Sequence, residues 1–229
     1  MSRRIKLWED PYGDGNLYNK KYITFNPGLT VLVGCNGIGK TTLLRNIKAI
    51  LKDKDIPYII FDNLQDGGDN AREKAGFEKD FSFLAASITS SEGENIVMNI
   101  GNLAAKLRHF ISTGENGDKM SEFIELINSN LKLNKKKSVN TNERWILLDA
   151  IDSGLSIDNV CEIKYLFETI FNDTESQDKD IYIIASANEY ELANGENCLD
   201  VINGKFVKFK DYEDYKNLIL MTRKEKEKR

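Results

Sequence analysis

The chain has 229 residues, 41% of them hydrophobic and 30% charged, with a formal net charge of -4. That is enough for one domain with a substantial core; its acidity confines any nucleic-acid contact to a local basic patch, and no apolar stretch approaches the ~20 residues of a membrane span. Cys35, Cys161 and Cys198 are scattered and odd in number, and His109 is the single histidine, which argues against a disulfide framework, a zinc site and a Ser-His-Asp centre. The opening segment MSRRIKLWEDPYGDG has no apolar leader core, so a reducing, cytoplasmic setting is expected.

Ile5 to Trp8 reads as a short strand, and Tyr22 to Phe25 alternates like a second. Asn26-Pro27-Gly28 turns the chain into the apolar run Leu29 to Val33, suited to a buried strand. After a glycine loop, Leu43, Leu44, Ile47, Ile50 and Leu51 recur at helical spacing. Pro57 to Phe61 is a further strand, followed by a polar loop. Residues 96 to 112 and 119 to 131 read as helices parted by GENGD. The polar connector KLNKKKSVNTNE then leads to Trp145 to Asp149, a buried strand ending in a carboxylate. Ile157 to Asn172 is an amphipathic helix and Ile181 to Ala185 a buried strand. Val201 to Val207 reads as a hairpin turning at Asn203-Gly204, and Asp211 to Met221 as a closing helix. Strands alternating with helices predict an α/β fold with a mostly parallel central sheet, an N-terminal antiparallel element and a helical insertion at about 106–142, all in one domain spanning 1–229.

Chemistry concentrates in GCNGIGKTT, residues 34 to 42. Gly34-x-x-x-x-Gly39-Lys40-Thr41 matches the P-loop pattern between a buried strand and an amphipathic helix. Glycines let the main chain curl so that its N–H groups cradle phosphate oxygens, and the following helix adds its positive end. Asn36, Gly37, Ile38, Gly39, Lys40, Thr41 and Thr42 are therefore the expected contacts to ATP. Lys40 would reach the β- and γ-phosphates and Thr41 would hold Mg2+. Asp149, ending its strand, is the expected second metal-orienting group, although a helix-capping role is also open to it.

The same residues carry a family resemblance. GCNGIGKTT resembles the G-x-N-G-x-G-K-[ST]-[ST] loop of ATP-binding-cassette (ABC) ATPases, in particular the branch of SMC proteins, RecF and double-strand-break repair ATPases. Ser90-Ser91-Glu92-Gly93-Glu94 is similar to the L-S-G-G-[QE] signature, and DAIDSGLSID to the Walker B aspartate with its D-loop. Gln65 follows a strand as the family's Q-loop glutamine does. The motifs occur in family order over residues 5 to about 210. The resemblance implies a P-loop NTPase fold and two heads sandwiching two ATP molecules. Ser91 and the Gly93 N–H would grip the other head's γ-phosphate, and Gln65 would join Thr41 and Asp149 at Mg2+. It implies a homodimer formed around ATP, with DNA or a nuclease as further partner and no membrane partner. SSEGE serves equally as a helix N-terminus, and Gln65 as a plain loop residue. Trp8, Tyr12 and Tyr22 are each open as adenine-stacking or ordinary packing residues.

Three departures qualify the resemblance. Ala150 stands where relatives carry a glutamate that polarises water. Asp152 is the nearby acid that would take that role or belong to the D-loop. Ala187 or Asn188 stands where a switch histidine is expected. Only about two dozen residues separate Gln65 from Ser91, which leaves no room for a coiled-coil arm. Slow hydrolysis is expected, with a non-hydrolysing dimerisation switch as the second reading. A transporter ATPase and a small-molecule kinase rank below both. The basic stretches Arg3-Arg4, Lys132 to Lys137 and Arg223 to Arg229 read as nucleic-acid contacts or, more simply, as solvated surface and a frayed helix end.

Overall fold

The computed structural model describes residues 2–7, 18–62, 92–115, 141–173 and 176–228. Its centre is a six-stranded sheet. In spatial order this comprises β4 (Tyr58–Asp62), β5 (Glu143–Asp149), β6 (Asp180–Ser186), β3 (Gly28–Val33), β7 (Asn197–Asp200) and β8 (Lys205–Val207). All neighbours are parallel except β7 and β8, which form an antiparallel edge. A separate two-stranded antiparallel sheet joins β1 (Arg3–Lys6) to β2 (Tyr22–Phe25), with Ile5 opposite Ile23. The predicted α/β architecture, with its N-terminal antiparallel element, is the observed one.

Alternation along the central strands builds two cores. On one face Leu32, Trp145, Leu147, Tyr182 and Ile184 meet helix α1 (Lys40–Asp53) and the β1–β2 hairpin. Trp145 and Tyr182 are register partners on β5 and β6, and their rings stack at 4.1 Å. Phe25 of β2 stands edge-on to Trp145 at 6.0 Å, tying the hairpin to the sheet. On the other face Val31, Val33, Ile146, Leu148 and Ile183 meet helices α2 (Glu92–Thr113) and α3 (Ile157–Asn172). Such two-sided burial explains why these strands read as unbroken apolar runs.

Several boundaries differ from expectation. Helix α2 starts at Glu92 rather than Ile96, in keeping with acidic residues at a helix N-terminus. It also runs unbroken across residue 106, and Leu107, Phe110 and Ile111 belong to the core. Buried Arg144 holds the end of α2 by donating to the Ile111 carbonyl at 3.1 Å. The C-terminal hairpin has its first arm at Asn197–Asp200 and turns over residues 201–204. A short helix α4 (Tyr190–Ala193) lies between β6 and β7, and the last helix, α5 (Tyr212–Glu227), continues beyond Met221. Among the described residues no helix is long and apolar enough to cross a membrane. The expected helix at 119–131 and the KLNKKK connector lie outside the described residues.

Candidate functional site

The glycine loop leaves the carboxyl end of β3 and opens α1. Asp149 ends β5 and Ser186 ends β6, so all three sit at the carboxyl edge of parallel strands, where α/β sheets bind ligands. The loop's curl depends on particular glycines. At Gly34 a Cβ would lie 2.9 Å from the Ile38 side chain. At Gly37, φ is +73°, a conformation that disfavours side chains, and a Cβ would fall 2.6 Å from the Lys226 ammonium and push that flexible side chain aside.

Four carbonyls of the loop have donors. Gly34 accepts from Lys40 Nζ at 2.7 Å, Cys35 from the Ile38 amide at 3.2 Å, and Asn36 from Lys226 Nζ at 2.9 Å. Gly39 accepts from the Tyr18 hydroxyl at 3.0 Å and from the Leu43 amide at 2.9 Å. The amides of Asn36, Gly37, Gly39, Lys40, Thr41 and Thr42 have no acceptor among the described residues. Gly39 caps α1 without a side-chain bond, leaving the first-turn N–H groups unanswered. Six donors in one curl, at the positive end of a 14-residue helix, form a cradle for a polyanion. Of the expected contacts, Ile38 alone has its amide engaged within the loop, and its side chain is buried.

Lys40 is buried at 8% exposure, and burial lowers its pKa, opposed by the charges of Asp152, Cys35 and Asp149. Among the described residues its ammonium donates one hydrogen bond, to the loop's own Gly34 carbonyl. A buried cation so thinly partnered is matched to an incoming anion. Thr41 and Thr42 are exposed on the first turn of α1.

Asp149 is oriented by Ser186, whose hydroxyl donates to Oδ1 at 2.8 Å and accepts the Ala150 amide at 2.7 Å. Sequence reasoning missed Ser186, since a serine ending a strand has no motif of its own. Ala150 has φ of +51°, a left-handed conformation unusual for a residue with a side chain. Asp152 is 1% exposed and accepts from the amides of Asn188 and Glu189, both at 2.7 Å. Burial raises its pKa, and those amides oppose the rise. The carboxylate thereby ties the turn after β5 to the turn after β6. Asn188 reaches Asp152 through its side-chain amide at 3.4 Å, and its carbonyl accepts from the Tyr215 hydroxyl at 3.1 Å.

Gly93 lies in the first turn of α2. Ser91, Gln65, Trp8 and Tyr12 lie outside the described residues, and the Q-loop expectation and the serine of the signature lie there with them. Among the described residues no cluster of three or more His, Cys, Asp or Glu forms a metal cage. Mg2+ typically takes one or two protein ligands and completes its shell with phosphate and water, and Thr41 with Asp149 fits that demand.

The basic segments resolve differently. Arg3 pairs with Glu143 at 3.1 Å, whereas Arg4 lies over the Tyr22 ring at 4.1 Å. Arg4, Lys6, Tyr22 and Lys54 line an open recess of about 510 Å³ with Asp53 and the apolar Ala49 and Ile50. The C-terminal charges are largely internal to α5, Arg223 pairing with Glu227 at 3.2 Å.

No family's sequence profile matches the chain, and no curated protein matches it. A crystal structure of Stu0660 of Streptococcus thermophilus resembles it with a TM-score of 0.40 at 12% identity, over 85% of this chain and 75% of that one.

Proposed function

We propose that this protein binds ATP with Mg2+ in the glycine loop, hydrolyses it slowly and uses it to bring two copies of the chain together, in the manner of ABC-type ATPases acting on DNA or with a nuclease in the cytoplasm. The observation that carries the reading is the set of six unanswered amides around Lys40. In this reading those amides hold the phosphates, and Lys40 leaves the Gly34 carbonyl for the β- and γ-oxygens. Mg2+, when bound, would supply positive charge to the phosphates. Asp149, aimed by Ser186, and Thr41 would hold it.

Slow turnover follows from the groups at the water position. Ala150 has no atom that accepts a proton, and both oxygens of Asp152 face hydrogen-bond donors of the next turn. The absence of a positioned base typically lowers a rate by about 10²–10⁴-fold. The same two features favour a second reading, in which ATP closes a dimer that a protein partner recognises without turnover. The recess lined by Arg4, Lys6 and Lys54, with Asp53 the one acid among them, supports a nucleic-acid partner, because it offers three cations to a phosphate backbone.

The test is solution mass by light scattering, with and without Mg·ATP, alongside calorimetric binding. One chain becoming two on adding Mg·ATP is expected, with both binding and dimer lost in Lys40→Ala. Bound ATP with unchanged mass removes the sandwich. Equal ATP affinity in Lys40→Ala removes the nucleotide site.

A further inference from the structure

The last helix of the chain holds the glycine loop from behind. Ile219, Thr222 and Lys226 are spaced three and four apart, so they share one face of α5. Ile219 packs against the cluster of Cys35, Ile38 and Ile202. Thr222, 0% exposed, accepts the Cys35 amide at 3.0 Å, and Lys226 donates to the Asn36 carbonyl at 2.9 Å. These contacts bridge more than 180 positions of sequence.

The chemistry of threonine explains the match. Its hydroxyl proton is directed back into its own helix, to the Ile219 carbonyl at 2.9 Å. What remains toward the loop is a lone pair, which can only accept. It takes the one early amide, that of Cys35, that belongs outside the cradle. Lys226 meanwhile covers a carbonyl that the curl turns outward. With Cys35 N–H and Asn36 C=O both held by α5, the Gly34–Cys35 and Asn36–Gly37 peptide planes, which flank the Cys35–Asn36 peptide, are set before any ligand arrives.

We infer that Thr222 is a positioning residue for the phosphate-binding loop, and that α5 is a working part of the site for a nucleoside triphosphate. The inference rests on the nucleotide reading proposed above and deepens it. A buried amide left without its acceptor would drive the loop to rearrange, because an unanswered buried donor is strongly unfavourable. By reciprocity, a triphosphate that prefers the held loop also tightens α5 against it.

Full-length protein carrying Cys161→Ser supplies the test. Cys161 is exposed, Cys35 is buried under α5, and Cys198 is buried with its pKa pushed up to about 12, so Cys35 becomes the reporter thiol. N-ethylmaleimide labelling and calorimetric Mg·ATP binding are measured together. Thr222→Val is expected to label about tenfold faster and bind Mg·ATP about tenfold more weakly, and Thr222→Ser to return both within about threefold of the parent. Mg·ATP is expected to slow labelling of the parent. Parental behaviour of Thr222→Val in both assays overturns the inference. So does a Thr222→Ser variant as impaired as Thr222→Val, since packing alone would then be at work. If Thr222→Val does not fold, exposed Lys226→Gln replaces it. About threefold weaker binding at an unchanged melting temperature then supports the role, and parental affinity overturns it. If the parent binds no ATP while Thr222→Val still speeds labelling and Thr222→Ser reverses it, the nucleotide reading falls and the hold of α5 on the loop stands.

Discussion

Lys40 carries opposed demands at a single atom. Burial disfavours its ammonium, yet the proposed ligand requires it. Because its folded pKa lies below the usual 10.5, the unfolded chain holds more protons between those two values. The buried charge therefore weakens the fold at all pH below the folded value, and stability recovers as pH rises through that window. Lys40→Met is expected to melt no lower than the parent at neutral pH while losing Mg·ATP binding. In the parent, affinity should fall as pH rises through the lowered pKa, before 10.5 is reached; titrating the binding constant against pH checks this. Ala150 offers a second contrast. A left-handed residue with a Cβ is disfavoured by about 1–2 kcal/mol, a strain that glycine lacks. Ala150→Gly should hold the unfolding free energy within about 1 kcal/mol of the parent, and Ala150→Val should lower it by about 1–2 kcal/mol. Glutamate at 150 would meet the same backbone as alanine, so any gain in rate belongs to its carboxylate. Steady-state phosphate release should rise in Ala150→Glu by up to about 10²–10⁴-fold; no gain, with the parent turning over at an ordinary rate, removes the assigned reason for slowness.

At the scale of elements, α5 is the helix whose fate matters most. Asp211 caps it by accepting the Asp214 amide at 3.0 Å, and Glu213 and Asp214 add favourable charge to its first turn. Asp211→Ala should lower stability by about 1 kcal/mol, read from denaturant unfolding. If α5 holds the glycine loop, the variant should also weaken Mg·ATP binding. The elements that bear the loop and Asp149 were legible because each is an apolar run or a stripe with sharp ends: Leu29 to Val33, the α1 face of Leu43, Leu44 and Ile47, and Trp145 to Asp149. Strand β7 was not, since Asn197–Asp200 is four residues with polar ends and becomes a strand because β3 offers it an open edge. The contact of α5 with the loop was equally hidden. Its tail reads as an alternation of charges, and only the fold turns Thr222 and Lys226 toward residues 35 and 36. Asp152 was found in sequence as a spare acid, but its hold on the amides of residues 188 and 189 depends on β5 and β6 lying side by side.

In the whole molecule, Trp145 joins the two sheets. It stacks on Tyr182 within the central sheet and meets Phe25 of the hairpin, with no exposure to solvent. Trp145→Ala is expected to lower stability by about 3–5 kcal/mol in denaturant unfolding. The hairpin should loosen with the sheet, because the same side chain serves both. A loss below 1 kcal/mol would mean that the hairpin and sheet are held together elsewhere.

The position of β3 also sets a timetable for biosynthesis. The strand that launches the glycine loop ends at Val33, but its parallel neighbours are β6 and β7, from residues 180–186 and 197–200. A chain emerging from the ribosome holds this apolar segment without its sheet partners until β6 and β7 have followed it. Such distant pairings are slow to form and leave sticky segments open in the meantime. Nascent chains halted before residue 180 should therefore present β3 to chaperones, and the loop it carries should take shape only once β6 and β7 are available to pair.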